Sequence, residues 1–234
     1  MQAAGVAVPP PKLIEIEAGQ MTYEPNERRE QEGVHFGSTF PGSPDKMAVF
    51  DLLPQRVIGS VANRAHFLGA FVTDKWLGNT DSRQAVFFRD FPRSWIPNTL
   101  QRSKELVALM IDQGNCFGGD RWEFYDSHLY GLHPIWTVYH SALWPELHRW
   151  ITAVHAIPEQ VIEDAFDSLP GQWTTGEVAN LSRLKDTVLA RRPKLSRLVE
   201  AAVDCLPHVF IACHRGGQEE TALSLPIPAP RTVP

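Results

Sequence analysis

Two carboxylates carry the chemistry that can be read from this sequence: Asp81, in Asn79-Thr80-Asp81, and Asp112, in Ile111-Asp112-Gln113-Gly114. A positioned carboxylate can take the proton of an acceptor hydroxyl, and a second can ligate a hard divalent cation. Around the first acid, Asn79, Arg83 and Gln84 fall within six positions and add two amide oxygens and a guanidinium. After the second, Gly114 allows a sharp backbone turn. Taken singly, either Asp also suits a plain turn or a helix cap.

Two elements must bring these acids together. Residues 85–89 and 106–111 are short apolar runs rich in Val, Ile and Phe, the pattern of β-strands. The link between them contains two prolines and an Asn, so it turns the chain. Paired as an antiparallel hairpin, the start of the first strand lies beside the end of the second. Asp81 and Asp112 then share the open end. A helix over 60–77 delivers Asp81, with Val61, Ala65, Leu68, Phe71, Val72, Lys75 and Trp76 on one face and Asn63, Arg64 and Asp74 elsewhere.

Ahead of that core, Ala3-Ala4 followed by Gly5 reads as the last turn of a helix and its stop. Strands are expected at 12–17 and 33–40, with a polar loop or marginal helix at 18–32 and a proline-rich turn at 41–44. A short helix or turn covers 47–53. A long aromatic loop runs from Gly118 to Tyr130. Four helices follow at 142–155, 158–168, 175–190 (Thr175 as N-cap) and 194–205. The tail from Gly216 is proline-rich and is expected to be disordered. The division is 1–44, then a helical 45–215, then the 216–234 tail, in an α+β class.

Composition narrows the function classes. The 234 residues are 43% hydrophobic and 21% charged, ordinary for a globular chain, and the net charge of −5 offers no basic field for nucleic acid. No apolar run approaches the ~20 residues of a membrane span. Cys116, Cys205 and Cys213 are odd in number and widely spaced, which favours reduced thiols and a cytoplasmic setting. His128, His133 and His140 with Asp126, or His148 with His155, could supply metal ligands, but at unspecific spacings. Ser38 lacks a nucleophile elbow, and neither a dinucleotide fingerprint nor a Walker loop occurs. His35-Phe36-Gly37-Ser38 is either an exposed edge strand with a glycine bulge or a strand lining a ligand.

The strings GVAVPPPKLIEI, VHFGSTF, DKWLGNTDSRQAVFFR and MIDQGNCFGG, in that order, resemble the HipA-like kinase domain family. The resemblance covers residues 1 to about 200 and omits the tail. It implies a protein-kinase-like, mostly helical C-terminal lobe with a β-hairpin bearing the active site, plus remnant strands of an N-terminal lobe at 1–44. It implies Asp81 as catalytic base, with Arg83 in the catalytic set, and Asp112 as magnesium ligand, with Gln84 or Asn79 supplying an amide oxygen. His35, Phe36, Gly37 and Ser38 would border the adenine of ATP.

The sequence departs from the pattern at Val86, where kinases place a second magnesium-binding Asn. The glycine-rich loop and phosphate-binding Lys would lie before residue 1, which implies a truncated start, a small lobe supplied by another chain, or a binding-competent remnant without catalysis; weak magnesium-dependent ATP binding with little or no turnover is expected. The implied partners are a nucleotide, a protein substrate, and a partner covering the N-terminal strands. The implied activity is ATP- and magnesium-dependent phosphotransfer of Ser/Thr type. The alternatives are a non-catalytic pseudokinase or interaction module, and a metal-dependent hydrolase using the histidine loop.

Overall fold

The computed structural model describes residues 1–17, 32–43, 45–96 and 99–215. The polar 18–31 stretch and the 216–234 tail lie outside the described residues. Strands β1 (Pro11–Ile16) and β2 (Gly33–Ser38) pair antiparallel with Leu13 opposite Phe36. Proline turns lead to a single helical turn, α1 (Gln55–Ile58), and then to α2 (His66–Leu77). Strands β3 (Gln84–Asp90) and β4 (Glu105–Ile111) form a second antiparallel pair. A long stretch of loop and single turns follows, and from Trp144 on the chain is mostly helical: α3 (Trp144–His155), α4 (Glu159–Asp167), α5 (Gly171–Thr174), α6 (Val178–Arg191), α7 (Leu195–Cys205) and α8 (Ile211–Arg215). The fold is α+β with two separate two-stranded sheets. No helix among the described residues is long and apolar enough to cross a membrane.

Helix α2 is the axis of the core, and here the structure corrects the sequence reading. The helix begins at His66 rather than at residue 60, and residues His66 to Trp76 are all buried. A helix enclosed on every side has no polar face to display. Phe67 stacks on Phe87 of the hairpin, Phe71 meets Tyr139 and Phe210, and the Trp76 indole donates to the Val188 carbonyl on α6. Polar residues along this axis and just ahead of it are used internally. Asn63 pairs its side-chain amide with both backbone groups of Ala108, as a neighbouring strand would.

The hairpin is enclosed too, which explains why β4 reads as an unbroken apolar run. Phe87, Ala108 and Met110 face the main core; Phe88, Val107 and Leu109 face a second cluster with Ala7. Its edges are covered: Phe50 bridges Phe87, Ala7 accepts from Met110, and Ala62 donates to Leu106. Residues 47–53 therefore form an edge bridge, not a helix. The opening residues take the expected short turn, Gln2–Ala4 with a left-handed Gly5, and Ala4 and Val6 sit inside the main core. By contrast, the β1–β2 ribbon leaves Leu13, Ile14 and Phe36 exposed.

The four expected later helices fall within a few residues of where the periodicity placed them, with one cap misread, while α5 and α8 come in addition to those expected. Helix α6 starts after Glu177, and the Thr175 hydroxyl instead donates to the Gly171 carbonyl.

Two core histidines tie this arrangement to pH. His66 Nδ1 accepts the Ala7 N–H, and His133 Nδ1 accepts the Ile135 N–H while its ring packs on Phe67. Burial lowers both to about 4 from 6.5. The folded chain keeps them neutral while the unfolded chain protonates them, so their contribution is present above pH 6.5 and is lost as pH falls toward 4. The unfolding free energy from urea titrations should fall across that window, by about 1.4 kcal/mol per pH unit per histidine at the steepest. A flat profile would contradict this assignment.

Candidate active site

Gln84 pairs with Ile111 at the open end of the hairpin. Asp81 precedes β3 by three residues and Asp112 follows β4 directly, so both acids stand at one end, as the strand pattern predicted. Helix α2 is closed by Gly78 in a left-handed conformation (φ 61), whose N–H bonds the Asp74 carbonyl. Asn79 Oδ1 then accepts the Asp81 N–H, and Asp81 O accepts from Gly131 N–H. The Asp81 carboxylate is exposed. Its Oδ1 takes the Ser82 N–H at 2.6 Å, and its Oδ2 takes Asn115 Nδ2 at 3.2 Å. Asp112 is also exposed, with φ 58, and its Oδ2 accepts from Gln84 Nε2 at 2.6 Å. Left-handed backbone is uncommon for a residue other than glycine.

Arg83 holds this geometry from beneath. Its side chain is 0% exposed and grips Asp74 with two bonds, Nε at 2.8 Å and Nη2 at 2.5 Å. Its Nη1 donates to the carbonyls of Ile111 and Asp112. A guanidinium so enclosed cannot reach a substrate, so Arg83 positions Asp112 and does not join the catalytic set. Asn79 leaves the metal set for a similar reason: it is 2% exposed and its oxygen is taken by Asp81. Asn79 Nδ2 leans toward Asp74 and favours its charge, without reaching hydrogen-bond geometry to any group. Gln84 stays exposed beside Asp112.

The segment after Asp112 folds tightly back. Phe117, Gly118, Gly119 and Trp122 all have positive φ, and a Cβ on Gly118 would stand 1.6 Å from the Glu123 carbonyl oxygen. Phe124 packs on Gly78 and lies under the Arg191 guanidinium, 4.6 Å from it. Arg191 also pairs with Asp126 and with the Lys75 and Trp76 carbonyls. Lys75 Nζ donates to the carbonyls of Ser127, His128 and Tyr130, and burial lowers its pKa to about 8.

Beside Gln113, a cavity of about 250 Å³ is lined by Phe36, Leu77, Cys116 and Phe117 among others. Of the four residues 35–38, Phe36 is the one that lines it. Among the described residues no group of three or more His, Cys, Asp or Glu could hold a metal ion. His133 is a core residue and Asp126 is spent on Arg191, so the histidine loop does not assemble. Sequence reasoning missed Asp74, Lys75 and Asn115. Only the clustering of polar residues just before Gly78 and just after Asp112 hinted at them. Comparison of the chain with family models, curated proteins and solved structures finds no match.

Two stability measurements check this geometry. Arg83→Met leaves the Asp74 carboxylate buried without its partner and should cost about 3–5 kcal/mol in chemical denaturation. Replacing both, as Asp74→Leu with Arg83→Met, should recover part of that loss. Gly118→Ala should destabilise by more than about 2 kcal/mol. Gly114→Ala, whose Cβ would meet Asp112 Oδ1 at an ordinary 3.6 Å, should stay near parental stability.

Proposed function

We propose that this chain is a HipA-like, protein-kinase-like phosphotransferase domain that uses ATP and magnesium and acts on a Ser/Thr-type hydroxyl. The observation that carries the reading is the shared hairpin end, where two exposed carboxylates stand on a buried ionic support. Phosphoryl transfer depends mainly on positioned charge. Asp81 accepts the proton of the acceptor hydroxyl as that oxygen bonds the γ-phosphorus and ADP departs. Asp112, with the Gln84 amide oxygen after side-chain rotation, would hold a magnesium ion; one or two carboxylates with water and phosphate oxygens suffice for it. When bound, the ion neutralises phosphate charge. Phe36 and Phe117 offer flat apolar contact for the base of the nucleotide. A cytoplasmic setting fits the three free cysteines.

A second reading, a non-catalytic kinase-like interaction module, is favoured by the exposed apolar side chains of the β1–β2 ribbon.

Calorimetry with ATP should give magnesium-dependent binding that weakens in Asp112→Asn. Single-turnover transfer of labelled phosphate to a Ser/Thr acceptor should be slow. It should fall by about 10²–10⁴-fold in Asp81→Asn, with ATP binding intact. Magnesium-dependent binding without transfer would favour the interaction module. Binding that ignores magnesium and Asp112 would exclude the phosphotransferase reading.

A further inference from the structure

Asn115 sits three residues after Asp112, in the turn closed by the Cys116 N–H on the Gln113 carbonyl. It has two separate links to the segment bearing Asp81. Its backbone carbonyl accepts from Thr80, from the N–H at 3.0 Å and the hydroxyl at 3.3 Å. Its side-chain Nδ2 donates to Asp81 Oδ2. Asp81 Oδ1 is already engaged by its own neighbour, Ser82. Among the described residues, Asn115 thus gives the one side-chain bond that reaches the Asp81 carboxylate from the turn bearing Asp112. Aspartate has only two side-chain torsions, so fixing both oxygens fixes the direction in which the remaining lone pairs point.

We propose that Asn115 is a positioning residue for Asp81: its amide aims the carboxylate toward the acceptor hydroxyl and couples that aim to the turn holding Asp112. This rests on the phosphotransfer reading above. The two links separate cleanly, because side-chain replacement leaves the backbone carbonyl and its bonds to Thr80 in place. Asn115 is only half-buried, so folding should survive its replacement. A neutral donor suits the carboxylate, a hydroxyl replaces it imperfectly, a methyl not at all, and a second carboxylate repels.

The test uses the intact chain with Asn115→Ser, Asn115→Ala and Asn115→Asp, assayed with magnesium, ATP and a Ser/Thr acceptor peptide. The transfer rate at saturating ATP should fall in that order, by about ten- to a hundredfold for Asn115→Ala. The KM for ATP and the melting temperature should stay at parental values. In an Asp81→Asn background, Asn115→Ala should cost nothing more. The amide nitrogen signal of the Asn115 side chain should shift in Asp81→Ala, while the exchange protection of the Thr80 N–H is retained. Equal rates in the three variants and the parent, with Asp81→Asn inactive, would overturn the positioning role alone. A parental rate in Asp81→Asn, or no transfer by the parent, would overturn the phosphotransfer reading and this inference with it.

Discussion

The ion pair between Asp74 and Arg83 is the constraint on which the rest depends. Both side chains are 0% exposed, so neither charge keeps water. Removing two ions from water costs several kcal/mol each, and only close geometry with further hydrogen bonds offsets that. Here the contact is two-pronged, and the spare guanidinium nitrogen satisfies two carbonyls at the end of β4. Burial pushes the Asp74 carboxyl up, and the guanidinium beside it pulls back. One pair thus joins α2, the start of β3 and the turn at Asp112. The exposed acids can stay wet because the charges that place them are dry.

The same end of α2 organises the segment between Asp112 and Gly131. That segment has little regular structure, so its carbonyls need donors from elsewhere. Lys75 supplies three bonds, and Arg191 ties the helix end to Asp126. Besides Gly118, close approach demands residues without a Cβ at two further points. Phe124 lies against Gly78, and Gly131 lies against Asp74, where a Cβ would come within 2.5 Å of the Asp74 side chain. Cations bound to carbonyls are directional in a way apolar contacts are not, which suits a loop bordering a site.

The β1–β2 ribbon stands apart from this logic. Its pairing is regular, but it leaves apolar side chains in solvent and touches α5 through bonds from Gln172 and Trp173 to the Val34 carbonyl. A two-stranded ribbon is marginal in isolation. Pro11 and Phe36 are its contribution to the cavity beside Gln113, so the ribbon matters to the site through one residue of each strand.

Local signals in the sequence determined the hairpin, the four later helices within a few residues, the ribbon, and the placement of Asp81 and Asp112 at one end. Those signals are strand periodicity, proline turns and helical spacing, each carried by near neighbours in the chain. They did not determine what Arg83, Asn79 and Asp74 do. All three are polar and sit near a candidate base, so they read as site or surface residues. Only the tertiary structure encloses them, because burial depends on what α3, α6, α7 and the hairpin cover together. Asn115 was illegible for the same reason: its partner lies 34 positions away, and only strand pairing brings the two within reach.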